Sequence, residues 1–373
     1  MMATAVKPTI LIMAGGTGGH VFPALTIAQT LLASGSRVEW LGTRAGIEAR
    51  VVTRASIPLH YIGVAGVRGK SLLRKLLAPF AVLAATLHAF MLIRRINPCC
   101  VLGMGGYVTG PGGVAARLLG KPLLIHEQNA VAGMANVLLF PLAKVVMEGF
   151  AGAFARKRRH VTDKVVVVGN PVRAEVLAVP SPEQRLAGRS GKLRLLVIGG
   201  SLGASIFNQT VPRMLAAINE AERPLLRHQC GRQKLVDTLA HYESAGIKTS
   251  DEVQVSEFID DMAEAYAWAD VVLCRAGAST LAEITAIGLP AILVPYPHAA
   301  DDHQAVNAAA LAHAGAARVL PQSDFSADSL RKLVLDLAGD RWQLQQQAVA
   351  AHGAGIRNAG EHAARLCLEA CRG

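Results

Sequence analysis

Ile10-Leu11-Ile12-Met13-Ala14-Gly15-Gly16-Thr17-Gly18-Gly19-His20 carries a short apolar run straight into a glycine turn, and a helix-like run from Pro23 to Leu32 follows. A strand feeding a glycine turn that opens a helix turns backbone N–H groups and the positive end of a helix dipole outward. That arrangement favours a phosphate-bearing ligand. The spelling departs from the dinucleotide fingerprint, which asks for a small residue at position 21, here Val21. The loop therefore reads as an anion site, but not as an ordinary dinucleotide one.

Half a chain later the unit returns as Leu195-Leu196-Val197-Ile198-Gly199-Gly200-Ser201-Leu202-Gly203, with a helical run from Ile206 to Leu215 behind it. Two such openings predict an α/β protein of two doubly wound, Rossmann-like domains facing a central cleft. Val38–Gly42, Val101–Gly103 and Leu123–Ile125 read as further strands of a parallel sheet in the first half, each ending in glycine or polar residues. Proline and polar residues break the pattern between Gly169-Asn170-Pro171 and Pro180-Ser181-Pro182. The predicted domains are 1–172 and 173–354, and one option for the last helix-like stretch, about 355–373, is to pack back on the first.

With 373 residues the chain is long enough to bury two cores. Its 38 basic residues against 27 acidic ones give +11, a balance that suits nucleic acid, anionic lipid or a phosphorylated substrate. Nucleic acid is set aside, because neither zinc-finger spacing nor an aromatic-glycine RNA signature is present. The six cysteines form no C-x-x-C pair and no convincing secretory signal precedes them, so they read as reduced, cytosolic thiols. Leu76–Ile93 holds 18 residues without Asp, Glu, Lys or Arg, flanked by Arg68, Lys70, Arg74 and Lys75 before and Arg94 and Arg95 after. It falls just short of a transmembrane span, which needs roughly 20 apolar residues. Two readings remain: a long buried helix, or a helix lying in an anionic bilayer surface, each basic flank adding about 1 kcal/mol. Gly69-Lys70-Ser71 imitates the end of a P-loop, but Val64 stands where its first glycine is required.

The polar punctuation after the strands carries the chemistry. Gly103-Met104-Gly105-Gly106-Tyr107 is a second glycine loop that lets backbone approach a ligand closely, or simply a tight turn. His126-Glu127-Gln128-Asn129 puts four polar residues at the carboxyl edge of a strand, where such sheets place their sites, or forms simply a hydrogen-bonded loop. No second histidine stands at helical spacing, so a metal is not expected there. Arg173, in Gly169-Asn170-Pro171-Val172-Arg173, suits either a phosphate or an interdomain salt bridge. In Cys274-Arg275-Ala276-Gly277-Ala278-Ser279-Thr280-Leu281-Ala282-Glu283, small residues precede another helix start. Glu283 is placed there to accept two ribose hydroxyls or to complement the helix dipole. Asp301-Asp302-His303-Gln304 tempts a metal assignment, which the helix dipole's own ability to offset a leaving phosphate makes unnecessary.

Taken in order, Gly-Gly-Thr-Gly-Gly-His, Gly-Met-Gly-Gly-Tyr, His-Glu-Gln-Asn, Gly-Asn-Pro-Val-Arg, Gly-Gly-Ser and Cys-Arg-x-Gly-Ala resemble the MurG family of peptidoglycan glycosyltransferases over nearly the whole chain. The resemblance implies a GT-B fold whose N-terminal domain takes the lipid-linked acceptor and whose C-terminal domain takes the UDP-sugar. It implies transfer of N-acetylglucosamine from UDP-N-acetylglucosamine to lipid I, making lipid II, with no cofactor and no metal. It places Ser201 on the UDP phosphates, and Ile259, Ala278, Ser279 and Thr280 around the uridine. Glu283 falls on the ribose and Gln304 on the sugar hydroxyls. Thr17, Gly18 and Gly19, with Asn129 and Arg173, complete the cleft from the other side, and Gly15, Gly16, Gly105, Gly106 and Tyr107 form the acceptor loops. His20 is the candidate to take or relay the acceptor hydroxyl proton, since histidine titrates near working pH, or else to orient the acceptor's diphosphate, and Glu127 and Asn129 are further catalytic candidates. The resemblance further implies a peripheral position on the cytoplasmic face of the bacterial inner membrane, with an anionic lipid surface and other cell-wall synthesis proteins as partners. Leu202 and His303 depart from the family pattern, where glutamine is expected at the first and found in some members at the second. The rival readings are a UDP-sugar epimerase of the same architecture, a non-enzymatic lipid-binding scaffold, and, poorest, an NAD-linked dehydrogenase.

Overall fold

A computed structural model describes residues 7–63, 72–155, 157, 163–200 and 202–372, and for 72–77 and 300 the backbone alone. The chain divides into two compact units, Met1–Val172 with Arg357–Gly373, and Arg173–Ile356. In the first unit the strands are β1 (Thr9–Met13), β2 (Arg37–Gly42), β3 (Leu59–Tyr61), β4 (Cys100–Gly103), β5 (Leu123–Glu127), β6 (Val145–Glu148) and β7 (Val165–Val167), paired in the order β3-β2-β1-β4-β5-β6-β7. In the second they are β8 (Arg194–Ile198), β9 (Leu225–Gln229), β10 (Val253–Ser256), β11 (Val271–Cys274), β12 (Ala291–Leu293) and β13 (Ala317–Val319), in the order β10-β9-β8-β11-β12-β13. Every pairing is parallel, as in β1, which sets Ile10 opposite Val38 on one side and Cys100 on the other.

Both sheets are doubly wound, so the strand order reverses between β1 and β4 and between β8 and β11. The carboxyl ends of those four strands are the places where this class of sheet opens a crevice for a ligand. The loops that follow them are Ala14–Thr17, Met104–Tyr107, Gly199–Ala204 and Arg275–Gly277, which are the glycine-rich stretches singled out in the sequence. Because β1 is covered on both faces, its alternate residues feed two cores. Ile10 and Ile12 pack with Val21, Trp40 and Leu102 on one face, while Leu11 and Met13 pack with Leu41, Val101 and Ile125 on the other.

The C-terminal helix Ala359–Arg372 belongs to the first unit, where Ala363, Ala364 and Cys367 enter the core beside the helix Gly18–Ala33. That docking corrects the expectation of six free thiols. Cys99, just before β4, and Cys371 on the last helix form a disulfide across 272 residues of sequence, with Cα atoms 4.9 Å apart. The remaining four cysteines are free and buried. No local spacing signals this pair, because it exists only where the chain's end returns to the start of β4.

The helix Leu72–Ile96 bears on the two readings left open for the apolar run. It buries Ala85, Ala89 and Ile93, and leaves Phe80 (70% exposed), Leu83 (57%), Leu87 (56%) and Met91 (63%) on the outside. A helix buried all round is therefore not what forms. Among the described residues, its stretch Ala78–Ile96 is the one helix long and apolar enough to cross a membrane by length and composition. Arg94 and Arg95 are exposed in its last turn, whereas Arg68 and Lys70 lie outside the described residues.

Candidate active site

In the first unit the site is built on the two loops of the switch point and the end of β5. Gly15 and Gly16 close β1, and Thr17 is the N-cap of the helix Gly18–Ala33, exposed and making no side-chain capping bond. The Gly18 and Gly19 end of the helix thus starts without a side-chain acceptor on its first amides, which suits an anion. The Gly16 amide is different. It donates to Glu48 Oε2 at 3.0 Å, and Glu48 Oε1 accepts from the Thr43 amide (2.8 Å) and hydroxyl (2.7 Å). Glu48 is wholly buried beneath the loop, so the turn is tied down by a carboxylate of the protein itself. One of the amides expected to meet a ligand is thereby occupied.

The second loop lies against the first. Gly105 has φ +99°, and a Cβ there would stand 2.7 Å from His20 Nδ1; Gly106 has φ +83°, and a Cβ there would collide with the Gly15 carbonyl. Only glycine allows both the left-handed backbone and the contact. Tyr107, next along, is 56% exposed.

His20 sits in the first turn of its helix, half-buried, with Nδ1 2.9 Å from Gln128 Oε1. The Gln128 amide nitrogen donates to the Met104 carbonyl at 3.0 Å and lies 3.1 Å from His126 Nδ1. The other ring nitrogen of His126 reaches the Gly169 carbonyl at 2.9 Å. Asn170 Nδ2 donates to the Gln128 carbonyl at 2.9 Å. Burial pushes His126 down to about 4, so its ring is neutral at physiological pH.

Glu127 turns away from this chain. One of its oxygens accepts from the Asn129 amide (3.0 Å) and Asn129 Nδ2 (3.2 Å), the other from the Gly133 amide (2.9 Å) and Asn136 Nδ2 (2.9 Å). This buried carboxylate, accepting from Asn129, Gly133 and Asn136, ties down the loop that carries Asn129.

In the second unit the polar groups gather at the same carboxyl edge of the sheet. Arg173 Nε donates to Glu283 Oε1 at 2.9 Å, and the buried Tyr266 hydroxyl donates to Glu283 Oε2 at 2.9 Å. Burial works against the Arg173 charge, but the Glu283 carboxylate outweighs it and raises the pKa; burial and the same carboxylate drive Tyr266 well above its ordinary value. Arg173 therefore does not approach from the first unit, and its pair with Glu283 is internal to the second. The first unit's main segment ends at Val172, the residue at which the sequence places the end of the first domain.

Glu283 lies on the helix Ala278–Ala286, whose N-cap Gly277 provides no side-chain bond. Ala278 is buried, Ser279 and Thr280 are half-buried, and Ser279 Oγ is buried without a hydrogen-bond partner. Such an orphaned hydroxyl at an uncapped helix start is what a ligand's polar group would satisfy. Ile259 is half-buried in the loop after β10. Gln304, on the helix His303–His313, accepts the Tyr296 amide on Oε1 at 2.9 Å, so its carbonyl already has a partner. Ser201 lies outside the described residues.

Two family models match the chain: a glycosyltransferase family 28 N-terminal domain over residues 10–148 and a glycosyltransferase family 28 C-terminal domain over 194–363. A curated relative from Marinobacter nauticus is 50% identical over 374 residues, covering all of both chains, and is named UDP-N-acetylglucosamine--N-acetylmuramyl-(pentapeptide) pyrophosphoryl-undecaprenol N-acetylglucosamine transferase. The crystal structure of Acinetobacter baumannii MurG superposes with a TM-score of 0.82 at 42% identity, over 97% of this chain and 99% of that one. The chain belongs to the MurG family.

A solved UDP-N-acetylglucosamine 2-epimerase from Listeria monocytogenes, described as putative, shares the fold at 15% identity with a TM-score of 0.67. The GT-B architecture thus houses more than one chemistry, and it is the full-length identity that separates this MurG family member from the epimerase reading.

Two residues of the site, Glu48 and Tyr266, escaped the sequence motifs. Glu48 carries no marker beyond following the Gly42-Thr43 turn. Tyr266 lies outside every motif quoted from the sequence. Gln128 belongs to the His126–Asn129 motif, but nothing in the sequence gave it a role of its own. Conversely, Cys274 and Arg275, prominent in the sequence, are structural here. Burial pushes the Cys274 thiol up to about 12, and Arg275 stacks on Phe207 and Tyr296 while donating to the Val294 carbonyl and Gln322.

Proposed function

We infer that this chain transfers N-acetylglucosamine from UDP-N-acetylglucosamine to the muramyl 4-hydroxyl of lipid I, forming lipid II. The observation that carries the reading is the end-to-end identity of one half with a relative named for that transfer. The reaction is an inverting displacement. The acceptor hydroxyl attacks the anomeric carbon, the bond from that carbon to the UDP oxygen breaks, and UDP leaves with the electron pair. His20 takes the hydroxyl proton. The first unit takes the lipid-linked diphosphate, and the open helix start at Thr17–Gly19 supports this. The second takes the nucleotide, a role supported by the Glu283 carboxylate with its two fixed donors and by the uncapped helix behind Ser279. Neither cofactor nor metal takes part.

The enzyme works at the cytoplasmic face of the bacterial inner membrane, held peripherally through anionic lipid. The exposed stripe Phe80, Leu83, Leu87 and Met91, ending at Arg94 and Arg95, supports this contact.

The deciding measurement is transfer of labelled N-acetylglucosamine to a lipid I analogue with EDTA present. Acceptor-dependent UDP release is expected to survive chelation, and free epimerised sugar formed without acceptor would overturn the assignment. His20→Ala is expected to lower kcat by about 10²–10⁴. A loss of only several-fold would remove His20 as the base.

A further inference from the structure

A histidine can act as a base at neutral pH only through the ring nitrogen that carries no proton, and its hydrogen-bond partner at the other nitrogen decides which one that is. In the first unit a single side-chain amide makes that decision. Gln128 is buried, and its two ends face different kinds of partner. Its nitrogen points at the Met104 carbonyl, 3.0 Å away, and a carbonyl only accepts. Turning the amide over would set two carbonyl oxygens against each other, so Oε1 must face His20. An amide oxygen also only accepts, so His20 Nδ1, 2.9 Å away, must donate.

The neighbours hold the amide in that sense. Its nitrogen also lies 3.1 Å from His126 Nδ1, and His126 is neutral, with its opposite nitrogen 2.9 Å from the Gly169 carbonyl. The Gly169 carbonyl requires a proton on His126 Nε2, which leaves Nδ1 as the acceptor that the Gln128 nitrogen needs. The side-chain amide is thus fixed at two points, by Met104 and by His126, while Asn170 Nδ2 holds the main-chain carbonyl of Gln128. Gly105, lacking a side chain, leaves the His20 ring room to sit against it.

We propose that Gln128 is a positioning residue that locks His20 in the Nδ1–H tautomer, so that the unprotonated Nε2 is presented to the acceptor hydroxyl. The proposal rests on His20 being the base of the transfer. In the step it serves, the proton passes from the acceptor oxygen to His20 Nε2 while Nδ1–H stays on Gln128.

The test uses the full chain labelled with ¹⁵N-histidine, its long-range ¹H–¹⁵N spectrum at neutral pH assigned for His20 by comparison with His20→Ala. In the unaltered protein His20 is expected to show a protonated Nδ1 and a bare Nε2. In Gln128→Leu, with folding checked by thermal melting, the proton is expected to move to Nε2 in part or in full. The kcat should fall towards that of His20→Ala, within the range of about 10²–10⁴ for loss of a general base, with KM for UDP-N-acetylglucosamine unchanged. A protonated Nε2 in the unaltered protein would overturn the lock, and that spectrum needs no variant to fold. Retention of both tautomer and kcat in Gln128→Leu would overturn it as well. If instead His20→Ala kept most of the activity while the tautomer was as stated, the base reading would fail and the lock would lose its catalytic purpose. The two failures are thereby distinguished.

Discussion

Gly106 shows how little a single residue of this site can change. Its backbone is left-handed and the space a side chain would take is filled by the Gly15 carbonyl, so Gly106→Ala must move one of the two loops. The backbone term alone costs about 1–3 kcal/mol. We expect Gly106→Ala to lower stability by at least that range in chemical denaturation, and to weaken acceptor use more than donor use. An alanine variant with native stability and native acceptor KM would contradict the packing of the two loops. Both glycines are visible in the sequence, but their contact is not, because it joins positions 91 residues apart (106 minus 15). What Glu48 and Gln128 touch was illegible for the same reason. Their partners lie 32 and 108 residues away, and a sequence motif records spacing along the chain, not the other end of a hydrogen bond.

At the scale of elements, the strands and the helices behind the glycine loops follow from apolar runs and turn residues. The helix Leu72–Ile96 does not yield so easily, since an apolar run reads alike whether it is buried or faces lipid. Tertiary packing separates its two sides, with Ala85, Ala89 and Ile93 inward and Phe80, Leu83, Leu87 and Met91 outward. If the outer stripe meets anionic lipid, Leu83→Glu with Leu87→Glu should reduce sedimentation with anionic vesicles. Raising the salt should weaken what remains, since Arg94 and Arg95 are exposed to screening. Because both leucines are largely exposed, stability should change by no more than about 0.5 kcal/mol per site. Vesicle binding that ignores both the charges and the salt would count against the contact.

Among the described residues, each unit carries a buried neutral histidine network. Burial holds His126 at about 4 in the first and His228 at about 3 in the second. His228 is bonded to Tyr242 and Asn208. An unfolded histidine titrates near 6.5, so between that value and the folded one the unfolded chain binds more protons and stability rises with pH. Each histidine's contribution is complete above about 6.5 and is lost as pH falls below it, amounting to about 2 kcal/mol between pH 7 and pH 5. Denaturation midpoints should therefore drop over that interval. His126→Gln should flatten the loss in the first unit while leaving that of the second, and a midpoint indifferent to pH would contradict the burial of both rings.

The sequence by itself determined the two strand–glycine loop–helix openings, hence two doubly wound sheets, and through the order of its six motifs the MurG family. These features are local: periodicity, turn residues and spacing are all written along the chain. Only the tertiary structure decided that Cys371 meets Cys99, that Arg173 pairs with Glu283 inside the second unit, that Glu127 holds a loop, and that the Gln128 amide lies against His20. Each of these is a relation between atoms brought together by the fold. A buried polar group takes whichever partner the packing supplies, and residue order does not name that partner.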